Sequence, residues 1–221
     1  MALVTLKAVK NHPYVIAFIE AADRHMGAVG YTEHGGRHAN LVSNIAQNVL
    51  SHLGYKKRIV EMSGISGYMH DLGNVISRSD HGMGAALIAM NILQDLKMDP
   101  NEIAEIMGAV GNHEEERGDP ISEIAAALIL ADKSDVHRTR VRNPNMATFD
   151  IHDRVNYAAE KSFLRVDDKK KSIALELTID TEISRVMEYF EIFLSRMVIS
   201  RRAARFLGCK FELIINGTKL F

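Results

Sequence analysis

The chain has little of what marks several large classes of protein. Cysteine occurs once, as Cys209, which excludes an intrachain disulfide framework and a cysteine-based zinc site within one chain. No apolar run approaches the roughly 20 residues that a membrane-spanning helix needs, and the first residues carry no signal-peptide pattern. No membrane partner is therefore expected, and the expected compartment is the cytoplasm. Net charge is nearly absent as well: 27 Lys and Arg against 28 Asp and Glu leave a formal charge of -1, which argues against a general nucleic-acid binder. Internal repeats and low-complexity tracts are missing. What is there is ordinary globular composition, 221 residues with 47% hydrophobic and 25% charged, enough chain for a core of its own.

Hydrophobic periodicity reads mostly as helix. A short polar lead-in over 6–11 precedes His12-Pro13, with proline tolerated in the first turn of a helix expected to reach about Ala28. Gly27, Gly30 and Gly35-Gly36 then punctuate a loop. The next helix is expected over 37–53, where Leu41, Val42, Ile45, Val49 and Leu53 form an apolar stripe and His38 lies on it one turn before Val42. A helix over 56–72 carries His70 and Asp71 at its end, and Gly73-Asn74 offers left-handed dihedrals to stop it. Another starts near Ser79-Asp80 and runs to about Met98, with His81 one turn before Ala85 on its apolar face. Asp99-Pro100 opens a fifth, whose face of Ile103, Ile106 and Val110 ends at His113. After an acidic loop over 114–120, with Glu114, Glu115 and Glu116 expected in solvent, residues 121–130 are apolar nearly all round. That marks a helix buried on every side, and its face of Ile121, Ala125 and Leu128 continues to Asp132.

Towards the C-terminus the texture changes. Asp150 is placed to cap a short helix to about Lys161. Residues 163–166 and 173–178 alternate as strands around Asp167-Asp168-Lys169-Lys170, which signals a hairpin. A long helix over 181–207 ends at Gly208, and Phe211, Leu213 and Ile215 give a last strand before an Asn216-Gly217 turn. The expected fold is mostly α: a helical bundle with a small C-terminal antiparallel β-sheet. Residues 1–160 are expected to form a helical body, and 161–221 to supply the hairpin, long helix and terminal strand packed on it as one structural unit. Such a small sheet needs support from the long helix and leaves edges open to pairing, so a homodimer through this region is expected.

Five separate helical stripes thus deliver His38, His70 with Asp71, His81, His113 and Asp132 to core-facing positions near helix ends. A buried carboxylate binds a cation, accepts hydrogen bonds or becomes protonated, and one such histidine alone is ordinarily a satisfied core residue. Six convergent imidazole and carboxylate groups without thiolates suit Fe, Mn, Co, Ni or Zn, with Mg admissible where oxygen dominates. They exceed what one ion with an open position needs and match two divalent ions sharing a bridge, for which Asp71, beside a ligand histidine, is the natural carboxylate.

The ordered set formed by His38 with Val42, then Tyr68-Met69-His70-Asp71-Leu72-Gly73, then Ala131-Asp132-Lys133, resembles the HD-domain superfamily of metal-dependent phosphohydrolases over residues 25–142. His81 and His113 resemble the branches with a dinuclear centre. The resemblance implies that His38, His70, Asp71 and Asp132 hold one ion and that His81 and His113 complete a second. Asn74 stands where many relatives carry a basic residue. Asn112-His113-Glu114 resembles the paired histidines of the HD-GYP phosphodiesterases with the first replaced and no Gly-Tyr-Pro triplet.

The function expected is hydrolysis of a phosphate ester or anhydride in a nucleotide or small phosphorylated metabolite, with Asp71 and Lys133 in the catalytic machinery. Lys133, beside Asp132, is expected to neutralise phosphate, and Arg138, Arg140 and Asn74 are the expected substrate contacts. Competing readings are a dinuclear iron oxygenase of the same fold and a silent sensor that kept the scaffold. His34, one turn ahead of His38, reads as a loop residue.

Overall fold

The computed structural model describes residues 3–220. Among the described residues nine α-helices and four strands follow one another as α1 (Leu6–Lys10), α2 (Pro13–Ala28), α3 (Gly36–His52), α4 (Lys57–Met69), α5 (His81–Asp95), α6 (Pro100–Gly111), α7 (Glu123–Lys133), α8 (Ile151–Ala158), β1 (Ala159–Asp167), β2 (Ser172–Ile179), α9 (Val186–Phe206), β3 (Lys210–Ile215) and β4 (Thr218–Lys219). The mostly helical fold with a small β extension is as expected. Among the described residues no helix is long and apolar enough to cross a membrane.

The helix α7 is the axis of the molecule. Ser122 caps it by accepting from the Ala125 amide, and every residue from Ile124 to Ala131 is buried. It packs against α3, α4, α6 and α9, so both the N-terminal bundle and the C-terminal unit close on it, and one buried cluster runs from Val4 to Ile215. Leu128 is fully buried, and truncating it to alanine would cost roughly 2–5 kcal/mol. Ile121, expected on the buried face, lies before the cap and is 54% exposed.

Several boundaries differ from the sequence reading, each for a reason the structure shows. The expected lead-in over 6–11 is the helix α1, because the Thr5 hydroxyl caps the Ala8 amide and Glu61 accepts from the Leu6 amide. Gly73-Asn74 does not stop α4 with left-handed dihedrals. The chain instead tightens into a 3₁₀ turn, Leu72–Val75, and positive φ occurs elsewhere. The helix α8 ends at Ala158 because Ala159 is already paired with Ile179. The long helix begins at Val186, where Glu188 reaches back to the Arg185 amide in a capping box.

The sheet has the order β1-β2-β3-β4 and is mixed, which corrects the antiparallel expectation. The strands β1 and β2 form the expected hairpin, and Asn216 (φ 50°) with Gly217 (φ 78°) turns β3 tightly into β4. Between β2 and β3 the whole of α9 intervenes, and a crossover of that length lets the two strands run parallel, with Leu175 beside Leu213.

Candidate metal centre

Two glycines let the corner at His70-Asp71 sit between α3 and α5. A Cβ on Gly67 would lie 2.9 Å from the Ser43 backbone, so its absence allows α4 to press on α3. A Cβ on Gly73 would lie 1.9 Å from the His81 carbonyl oxygen, so its absence lets the turn after α4 touch the start of α5. His38 is the third residue of α3, His70 follows α4, His81 opens α5, His113 lies just past α6 and Asp132 is in the last turn of α7. All six expected donors therefore meet at one place. Ligand atoms of His38, His70 and Asp71, of His70, His113 and Asp132, and of Asp71, His81 and His113 each lie within 4.8 Å of one another.

The tautomers are set by the far side of each ring. Nδ1 of His70 lies 2.8 Å from the Gly67 carbonyl, that of His81 3.0 Å from Arg78, and that of His113 2.6 Å from Val110. A carbonyl only accepts, so in each neutral ring the proton sits on Nδ1 and Nε2 keeps a bare lone pair. His38 does the same against the Asp135 carboxylate at 2.7 Å. The four Nε2 atoms then face one another in pairs, His38 with His70 at 3.2 Å and His81 with His113 at 3.1 Å. Two lone pairs that close repel unless a proton or a cation lies between them.

Asp71 links the pairs. Its Oδ2 lies 3.6 Å and 3.5 Å from Nε2 of His38 and His70, and its Oδ1 lies 3.3 Å from Nε2 of His81. That Oδ2 is buried with no hydrogen-bond partner among the described residues, a costly state for a carboxylate that a bound cation relieves. Asp132 Oδ1 approaches His38 at 3.4 Å and His70 at 3.6 Å. Four imidazoles and two carboxylates, one of them with an orphaned oxygen, fit metal ions, and these residues could hold them.

Charge follows the same design. Burial opposes ionisation of Asp71, but His70 and His81 hold it well below the usual carboxylate range. Asp132 is likewise held low against its burial by Lys133, His38 and His70. Burial, then His70 and His81, pushes His113 well down and keeps it neutral, as a ligand must be. For His38, burial and Arg140 act downward, and the carboxylates of Asp132 and Asp135 outweigh them and raise it.

Outside the donors lies a ring of partners that the sequence reading missed. Asp135 is buried and takes Arg37 at 2.8 Å as well as His38. Its only sequence signal is its place one turn after Asp132. Glu114 and Glu115 are not in solvent as expected. Glu114 accepts from the Gly82 amide at 2.7 Å, and Glu115 accepts from Lys133 at 2.6 Å and lies 3.3 Å from Arg196. Burial works against the Glu115 charge, but Lys133 and Arg196 lower it to about 2. His34 lies in the loop before α3 as expected, but it is buried there, its ring 5.6 Å from that of His38.

The residues expected to meet substrate are placed as follows. Lys133 Nζ is buried between Asp132 Oδ2 and Glu115 Oε2, 2.6 Å from each. Arg140 is buried and donates to the carbonyls of Glu33 and Asp135. Arg138 pairs with Glu160 at 3.1 Å and lies over the Tyr157 ring. Asn74 is buried, with Oδ1 3.4 Å from Arg78 Nη1 and with Nδ2 unpartnered among the described residues. Arg78, unnoticed in the sequence, also lies 3.4 Å from His81 Nε2.

The chain is similar to an uncharacterized protein of Methanocaldococcus jannaschii (MJ1020), 28% identical over 180 residues that span 71% of this chain and 68% of that one. No protein-family profile matches the chain.

Proposed function

We propose that the chain is a dinuclear HD-domain phosphohydrolase that releases phosphate from a nucleotide or a small phosphorylated metabolite. The observation that carries the reading is the pairing of four Nε2 lone pairs across Asp71, whose two oxygens face different histidine pairs. His38, His70 and Asp132 with one oxygen of Asp71 would hold one divalent ion, and His81 and His113 with the other oxygen a second. Bound there, the ions would supply Lewis acidity towards phosphoryl oxygens and a water acidic enough to ionise near neutral pH.

The protein's own contribution is positional. Asp135 keeps the His38 proton on Nδ1, and three backbone carbonyls do so for the other rings. Lys133 fixes Asp132 from its outer oxygen, which leaves the inner oxygen to the centre. The scheme requires no protein nucleophile. Arginines in the walls of the adjoining cavities support an anionic substrate.

Metal analysis of protein purified without chelator, joined to a screen of phosphorylated metabolites, tests the proposal. We expect up to two transition-metal ions per chain and phosphate release under anaerobic conditions with Mn. Phosphate release confined to ferrous iron in air would transfer the site to oxidation, and no turnover by a fully loaded protein would mark a silent sensor.

A further inference from the structure

Two cavities adjoin the centre. One, of about 340 Å³, has His81 in its wall, and the other, of about 390 Å³, has His34. They share two residues, Tyr31 and Arg78. The guanidinium of Arg78 lies over the Tyr31 ring, 5.6 Å from its centroid, at the junction of the cavities and beside His81.

Four arginines line the two cavities, and three have carboxylate partners: Arg117 with Asp80, Arg140 with Asp135, and Arg196 with Glu115. Among the described residues Arg78 has no carboxylate within 4.0 Å. Its two side-chain hydrogen bonds are both long, at 3.4 Å. Its backbone, by contrast, is pinned, since the Arg78 carbonyl holds Nδ1 of His81. The residue thus has a fixed root against a ligand histidine and a loosely held cationic head.

The contact to His81 makes sense only while the Nε2 lone pair is unused. An ion on that nitrogen competes with Arg78 Nη1 for it, and two cations at that separation repel. An anion between them relieves both, and the planar fork of arginine matches two oxygens of a phosphate. The acidic groups around His81, which include Asp80, Glu114 and Glu116, leave Arg78 as the place where a phosphate can approach the centre.

We propose that Arg78 is the residue that binds the substrate's phosphate group. The ligand class is a small phosphomonoester, its phosphate at the junction and its organic part in the cavity between Tyr31 and Phe193. This rests on the phosphohydrolase reading and assigns the anion contact to Arg78 in place of Arg138 and Arg140.

The test uses Mn-loaded protein, inorganic phosphate as calorimetric ligand and p-nitrophenyl phosphate as chromogenic ester. Arg78→Met should keep its metal content, bind phosphate roughly 10- to 100-fold more weakly and raise KM in proportion. Arg78→Lys should fall between, since it keeps the charge and loses the fork, and it decides the matter should the methionine variant fail to fold. Wild-type affinity for phosphate in both variants, or no phosphate binding by the wild type at millimolar concentration, overturns the assignment. Phosphate binding that depends on Arg78 in a protein that hydrolyses no ester would sustain the anion site and sink the hydrolase. Hydrolysis with KM unchanged by Arg78→Met would do the reverse.

Discussion

Gly73→Ala is the sharpest test of how the backbone builds this centre. The added methyl would fall 1.9 Å from the His81 carbonyl oxygen and 2.6 Å from the Ala85 amide nitrogen. Both are backbone atoms, which no side-chain rotation can move aside, so the turn Leu72–Val75 and the start of α5 must separate by about 1 Å for the contact to reach even 3 Å. Forced overpacking of this kind costs roughly 1–3 kcal/mol, and a backbone wall puts it at the upper end. At roughly 2–4 °C per kcal/mol for a chain of this length, Tm should fall by roughly 6–12 °C. The displacement also parts Asp71, before the turn, from His81, which opens α5, now 3.3 Å from Asp71 Oδ1. Metal sites tolerate about 0.2 Å, so an ion held by Asp71, His81 and His113, as proposed, should be lost first. The assay is thermal unfolding with and without chelator, beside metal content per chain. Gly36→Ala is the control, since a Cβ there meets nothing within 4 Å. A Gly73→Ala protein with wild-type Tm and wild-type metal content would refute the argument that this glycine sets the spacing.

Four further outcomes are expected. His81→Ala or His113→Ala should cost mainly one ion and Asp71→Ala should weaken both, measured as metal per chain after dialysis; full activity with one ion and neither histidine would end the dinuclear assignment. Asp135→Asn, which replaces the carboxylate on His38 Nδ1, should lower metal affinity roughly 10- to 100-fold in competition with a chelating dye. Glu115 is held at about 2 in the folded chain against 4.5 unfolded, so its stabilisation is whole above pH 4.5 and drains away as pH falls towards 2. That is worth about 3 kcal/mol, and Glu115→Gln should flatten this part of the apoprotein's pH–Tm curve. The strand β1 is an outer edge of the sheet and carries Phe163 at 60% exposure, so light scattering should show a homodimer that Phe163→Lys weakens; a monomer across micromolar concentrations would count against it.

The helices were legible where an apolar stripe met a local start signal or ran unbroken. Pro100 after the Asp99 cap and the all-apolar run of α7 are examples, because cap and burial are written within a few neighbouring residues. Two of the misread ends were set from far away. Glu61 supports the start of α1 across 55 positions, and the closure after His70 answers to a backbone contact with α5 rather than to any dihedral preference of Gly73 or Asn74. Strand direction was illegible for another reason. Alternation in 210–215 is the same whichever way the strand runs, and what makes β3 parallel to β2 is the length of α9 between them.

The donors themselves were legible because each sits at a helix end on a stripe that had to face inward. Their partners were not: Asp135 reaches His38 across 97 positions and Arg37 across 98, distances over which no periodicity carries information. Reading Glu115 as solvated failed because the rule that exposes carboxylates lapses once a buried Lys133 needs an anion. Yet one part of the outer ring is local. His70, His81 and His113 each give their Nδ1 proton to the carbonyl three residues back, at Gly67, Arg78 and Val110. A histidine that spends its inner nitrogen on its own chain in this way can only present Nε2 to what lies beyond. The same short-range contact, repeated on three elements, is what turns buried histidines at helix boundaries into aligned lone pairs, and only His38, inside α3, must borrow a distant carboxylate for the purpose.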